Sequence, residues 1–377
     1  MDPHDDLPHT RAALAAHHPA IGHITIHPTP ATDSSTCLAY DLLATLGKPV
    51  PLTGTQPPWA TAAAWTLASG ITHLTVLRAH FLTRRRIEDL LTLRSRTGIR
   101  LMLVCHRPSV PVAMARALHP HGYHLAQARA VLPDTDQQPP PPGPGPLTNR
   151  WLSLSALTTL VAIDGRDQRC RCTAPTTEAR GFRSPQVRST VAEEIARRLH
   201  TATAHPRLAA LLATAVFTAA STTQLNTVHP RDLAPDAAAI TLHDPRRLRQ
   251  GCMAHPVPAW ARPFLLATVY LRRIAVAPDG PLFTPPFPTT GLPFVTRFAE
   301  SCKLRPPQPP RPGPTRHKTQ QQTVWPLSTA RYYYPWAVTE DMRGCPPPPP
   351  SHRGRTLQTG RLWNGLTFTE AVRGRRR

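Results

Sequence analysis

Lysine is nearly absent from this chain. Only Lys48, Lys303 and Lys318 occur among 44 Lys+Arg residues, so the positive charge rests on arginine. Arginine stays protonated in proteins and its planar fork matches carboxylates and phosphates. Acidic residues are few as well, and 22 Asp+Glu leave a formal net charge of +22. That much like charge resists compaction unless a polyanion is nearby, and nucleic acid is the common one. A GC-rich coding bias towards Arg, Ala, Pro and His is a second source of the same composition. No apolar run reaches the roughly 18 residues of a membrane-spanning helix, so no membrane partner is expected.

The seven cysteines are scattered. Cys170 and Cys172 form the one close pair, without the C-x-x-C spacing of a zinc site and without a second pair to complete it. An odd number of thiols and the lack of a signal peptide point to a reducing, cytoplasmic setting. His4, His9, His17, His18, His23 and His27 crowd the start of the chain at irregular spacing. They lack acidic or thiol partners in step, so no metal is expected there. The pattern G-x-x-x-x-G-K-[ST] is missing, which removes the phosphate cradle of an ATPase, and no cofactor is expected.

Proline is what the chain has in excess: 47 residues of 377, more than twice the usual share of about 5%. Its runs divide the sequence. Residues 1–32 read as a disordered His/Pro-rich leader with one short strand candidate at 21–27. Residues 33–132 read as an α/β module with a small parallel sheet and helices. Asp33, Ser34 and Ser35 can cap a helix over 36–46 that Gly47 closes, and Pro57-Pro58 opens a second helix that Gly70 stops. The β-branched runs 71–77 and 99–105 predict buried strands. Between them a helix over 82–97 places Ile87, Leu90, Leu91 and Leu93 inside and Arg84, Arg85, Arg86, Arg94 and Arg96 outside.

Residues 133–150 form a polyproline linker, a possible docking segment for a protein partner. Residues 151–305 read as a mostly α-helical domain. The run 157–163 predicts a strand that turns at Asp164 and Gly165 into a hairpin ending at Cys172. A capped helix from Ser189 carries Arg197 and Arg198 at its basic end, placed either to lie along a DNA backbone or to form a solvated C-terminal turn that the helix dipole favours. An apolar helix follows with Leu208, Leu211, Leu212, Ala215 and Val216 on one face. Then come a strand at 239–242, a basic loop at 245–250, a helix from Pro258 and a short helix at 294–302. Residues 306–377 are a Pro/Arg-rich, largely disordered tail, ending in Arg375, Arg376 and Arg377 and suited to sequence-independent phosphate contact.

Over residues 190–305 the order of elements resembles the catalytic domain of tyrosine recombinases, the phage-type integrases. Residues 218–225 stand in place of T-G-L-R-x-S-E-L. Asp232-Leu233, Val257-Pro258 and Pro281-Leu282-Phe283 fall at the family's D-L, V-P-L-P and P-L-F positions. The resemblance implies DNA as partner, a tyrosine nucleophile and arginines that hold the scissile phosphate. Ser221 occupies the first arginine position and Gln224 the glutamate position. The hairpin loop offers Arg246, Arg247 and Arg249 but no lysine. Arg316 and His317, near Lys318, are the nearest match to H-x-L-R-H, at a different spacing. Tyr332, Tyr333 and Tyr334 are the available nucleophiles, or an aromatic patch that stacks on bases. A tyrosine without those arginines has no partners for the charge of a phosphorane transition state.

Residues 33–132 resemble, in part, the AAA+ ATPases that accompany transposases. Where that family carries D-E-A-H at a strand end, this chain has Leu77-Arg78-Ala79-His80, without the two carboxylates that hold Mg²⁺ and activate water.

The sequence therefore predicts a non-catalytic DNA-binding protein, an accessory or regulator of a mobile element or plasmid. Its expected nucleic-acid contacts are Arg197, Arg198, Arg231, Arg246, Arg247, Arg249, Arg316, Lys318, Arg375, Arg376 and Arg377. The alternatives are an active, divergent tyrosine recombinase, a protein-binding scaffold, and a tail that is a decayed reading frame.

Overall fold

The computed structural model describes residues 7–29, 34–50, 57–107, 109–127, 147–160, 185–243, 252–275, 280–283 and 292–307. The chain divides into two compact units. The first comprises Met1–Val50, Gln56–Pro146 and Val269–Ala277; the second comprises Pro51–Thr55, Leu147–Thr268 and Pro278–Arg377. Both combine helices with small sheets, and no helix among the described residues is long and apolar enough to cross a membrane.

The first unit is built on three parallel strands in the order β1 (His23–Ile26), β2 (His73–Val76) and β3 (Arg100–Leu103). Helix α1 (Leu7–Ala15) precedes β1. Helices α2 (Ser35–Thr45) and α3 (Pro58–Ala68) connect β1 to β2, α4 (Arg84–Thr97) connects β2 to β3, and α5 (Val112–Leu118) follows. The central strand is buried on both faces through Leu74, Thr75 and Val76, as the apolar β-branched run requires of a parallel sheet. The turns at its amino end are tight. Gly22 sits at φ 83°, and its carbonyl accepts the N–H groups of Thr72 at 2.8 Å and His73 at 3.0 Å.

Two expectations are corrected here. Residues 7–29 are part of the sheet unit, not a solvated leader: β1 pairs with β2 along its full length, and Ala12 and Ala13 of α1 pack with Leu77 and Val104. The α1 segment buries alanines, whose small side chains give a faint periodic signal between a proline and histidines. Arg86 is buried, with its guanidinium on the Ser34 carbonyl at 3.3 Å, while Arg84, Arg85, Arg94 and Arg96 are exposed. Lys48 is also buried, its ammonium 3.3 Å from the centroid of the Trp65 ring, and burial holds its pKa well below the ordinary lysine value.

In the second unit α6 (Ser189–Ala202) leads into α7 (Pro206–Thr218), which is buried on every side except at Leu208. A helix apolar all round belongs at the centre of a core. Its threonines fit that place because their hydroxyls bond back along the helix, Thr214 to Ala210 O at 2.8 Å and Thr218 to Thr214 O. Around α7 stand α6, α8 (Thr222–Asn226) and α10 (Leu292–Ser301), and α9 (Arg262–Ile274) begins just after Trp260, whose ring meets Phe217 of α7. The last turns of α9 belong to the first unit, where Leu271 packs with Ala60 and Ala64. Strands β5 (Ala239–Leu242) and β6 (Met253–Pro256) form an antiparallel hairpin. Two-residue strands β4 (Leu152–Ser153) and β7 (Leu304–Arg305) pair in parallel and join the two ends of the unit. The strand expected over 157–163 begins instead as a 3₁₀ turn, Ser155–Thr159, which buries Leu157. Residues 161–172, with the expected hairpin, lie outside the described residues.

Candidate nucleic-acid interface

The segment that resembles the recombinase pattern starts where α7 ends. Ala219, at φ 54°, closes α7 with its N–H on Ala215 O, and the chain re-enters a helix at Ser221. Ser221 is the N-cap of α8. Its hydroxyl accepts the Gln224 N–H at 3.3 Å, and the Gln224 side-chain oxygen accepts the Ser221 N–H at 3.0 Å. This reciprocal capping satisfies two backbone donors that a helix start leaves open. Both residues are buried, Ser221 at 2% exposure. Ser221 is thus a packed helix cap.

Arg231 is exposed on the 3₁₀ turn Pro230–Asp232. The next residue fixes that turn. The Asp232 carboxylate accepts the His229 N–H at 2.8 Å and meets His243 Nε2 at 3.3 Å. Burial alone raises the Asp232 carboxyl. The His243 hydrogen bond, the His229 N–H and the charges of His243 and Arg231 outweigh it and hold the carboxyl below its usual value. His243 directly follows β5 and precedes residues 244–251, among them Arg246, Arg247 and Arg249. The Asp232–His243 pair thus ties the Arg231 turn to the end of β5. The loop arginines themselves lie outside the described residues, as do Arg316, Lys318, Tyr332, Tyr333, Tyr334, Arg375, Arg376 and Arg377. On β6, buried His255 is pushed down to about 4 by desolvation, so it packs as a neutral ring and adds no charge to this face.

Arg197 and Arg198 part company. Arg197 is partly exposed and pairs with Glu194. Arg198 is only 3% exposed, and its guanidinium is committed inside the protein. Nε donates to Glu194 at 2.9 Å, one terminal nitrogen to the carbonyls of Cys302 and Lys303 at 3.3 Å each, and the other to Thr148 O and Oγ1 at 2.9 Å each. Arg198 therefore holds the unit's first and last segments together and is not presented to a DNA backbone. The sequence marked it as basic and terminal, but burial of one face of α6 decided its role.

A cationic patch with no sequence signal lies beside it. Pairing of β4 with β7 brings Lys303 and Arg305 over the half-buried Trp151 ring, at 5.2 Å and 5.1 Å from its centroid. The partners are about 150 residues apart in the chain, so only the fold could reveal them.

In the first unit, the tetrapeptide at the end of β2 splits between inside and outside. Leu77 is buried with Ala12, Ala13 and Val104, whereas Arg78 is exposed in a left-handed conformation at φ 49°. Among the described residues no group of three or more histidine, cysteine or acidic side chains is arranged to hold a metal ion.

No family model, curated protein or solved structure matches this chain. The functional reading therefore rests on the residues and their geometry.

Proposed function

We propose that this protein binds duplex DNA without cutting it, through a degenerate tyrosine-recombinase-like domain over residues 190–305, as an accessory or regulatory protein of a mobile element or plasmid. The observation that carries the reading is the exposed Arg231, fixed through Asp232 and His243 to the end of β5, which Arg246, Arg247 and Arg249 follow in the chain. The net charge of +22 supports the same partner. Support for the recombinase-like part comes from the order of α7, capped α8, the β5–β6 hairpin and α9, with Leu282 N–H returning to Val228 O. Support for the loss of cutting comes from Ser221 and Gln224, whose side-chain oxygens are bonded to each other's backbone N–H groups in a buried cap.

The test is a salt titration of binding to a labelled duplex. Log affinity should fall linearly with log salt, by about 0.9 for each phosphate neutralised. Replacing Arg231, Arg246, Arg247 and Arg249 together by Ala should lessen that slope by about one for each phosphate set free. An affinity indifferent to salt overturns the proposal. On a nicked suicide duplex no covalent adduct should form. An adduct that disappears when Tyr332, Tyr333 and Tyr334 are all changed to Phe establishes the recombinase instead.

A further inference from the structure

The carboxyl ends of β1, β2 and β3 emerge side by side. Here that edge is rigid. Leu77 N–H donates to Ile26 O and Ala79 N–H to Val104 O, each at 2.9 Å, so the turn after β2 is pinned to both neighbouring strands. Between these two bonds Arg78 holds φ 49° and ψ 37°, a conformation that costs a residue with a Cβ about 1 kcal/mol or more and that tends to persist at functional positions. The turn then presents Phe81, which is 66% exposed. Phe81 rests on His80, with ring centroids 4.0 Å apart, and His80 Nδ1 in turn accepts the His106 N–H at 3.4 Å. Arg107 is exposed at the end of the neighbouring strand's extension. Beyond the end of β1, the Asp41 carboxylate accepts the Thr29 N–H at 2.9 Å and the Thr29 hydroxyl at 2.6 Å.

An exposed aromatic ring held against a histidine and flanked by arginines is the make-up of a base-stacking platform with phosphate contacts. A duplex keeps its bases stacked inside and cannot offer one to Phe81, whereas a single strand can. We infer that the carboxyl edge of the first unit's sheet binds single-stranded nucleic acid. Phe81 stacks on a base, and Arg78 and Arg107 contact the flanking phosphates. This site belongs to the first unit and does not depend on the duplex-binding face proposed for the second.

The experiment measures fluorescence anisotropy of the full-length protein with three labelled ligands, a thymidine strand of about 12 nucleotides, an abasic strand of equal length and a duplex. Salt of about 0.15 M suppresses long-range attraction to the cationic chain. The base-bearing strand should bind about 5- to 100-fold more tightly than the abasic one, the range expected of one stacked base. Phe81→Ala should abolish that preference and Phe81→Trp should keep it, with duplex affinity unchanged in both. Arg78→Gly preserves the backbone conformation, since glycine adopts it freely, and should weaken both single strands while the fold stays intact. Equal affinity of the wild-type protein for base-bearing and abasic strands overturns the inference, as does a preference that survives Phe81→Ala. If duplex binding alone is missing, the duplex reading fails and this one stands.

Discussion

Arg198 has five N–H donors, and all five end on protein oxygens. Removing a buried, fully bonded guanidinium takes a partner from three carbonyls and leaves Glu194 with Arg197 and Thr148 alone, and such losses cost about 3–5 kcal/mol. Arg198→Met should therefore lower the stability of the second unit by about 3 kcal/mol in urea unfolding, while Arg197→Met, on the partly exposed neighbour, should cost under about 1 kcal/mol. Arg198→Lys should not rescue, because one ammonium cannot span three separated acceptor groups. The pH dependence of the loss has a definite sign. Burial raises the Glu194 carboxyl, but the hydrogen bond and charge of Arg198, then Thr148 and Arg197, hold it below its ordinary 4.5. A depressed carboxyl contributes stability above its unfolded pKa that is lost as pH falls through the folded one. The wild-type protein should thus lose this contribution on acidification below about 4.5, and Arg198→Met should lack that part of the acid transition. Equal stability of the two arginine variants at neutral pH would contradict this account.

At the scale of elements, legibility followed the strength of the period. The β-branched run 71–77 contains β2 and the run 99–105 contains β3; α4, α7 and β5 also lie where their apolar spacing put them. Helix α1 and the place of β1 in the sheet were hidden because alanines carry the buried face and the partner strand of β1 lies 50 positions away. Arg86 was read as exposed because a charge run looks solvated, and its contact with the Ser34 carbonyl, 52 positions away, leaves no mark in the sequence. Glycine spacing marked where elements stop, but not how much each stop matters. Gly22 and Gly98 both hold positive φ, at 83° and 72°. A Cβ on Gly22 would lie 2.7 Å from the Gly70 carbonyl oxygen, a backbone atom that cannot yield, whereas a Cβ on Gly98 meets nothing within 4 Å. Gly98→Ala should cost about 1 kcal/mol from backbone conformation alone. Gly22→Ala adds the clash and loosens the Thr72 and His73 bonds that start the β1–β2 pairing, so it should cost at least about 3 kcal/mol. Chemical denaturation of the two variants checks the order, and a Gly22→Ala protein as stable as Gly98→Ala would refute it.

Across the whole molecule the positive charge is shared between residues 1–307 and residues 308–377, and the proposed DNA binding can be divided between them. Residues 308–377 carry eleven arginines and Lys318 against Glu340, Asp341 and Glu370, a net of +9. Removing them from a chain of +22 leaves +13 on residues 1–307. If attraction to DNA came from the tail alone, a chain ending at Pro307 would bind no better than a neutral protein. The fixed Arg231 turn and the Lys303–Arg305 pair over Trp151 remain in that shorter chain, so binding should persist with a shallower salt dependence. For each phosphate that only the tail neutralises, the slope of log affinity against log salt should lessen by about 0.9. Arg231→Ala should then weaken binding by a similar factor in both chain lengths, because substitutions on separate segments act nearly additively. A shortened chain that no longer responds to salt would place DNA binding in residues 308–377 and leave Arg231 without a role in it.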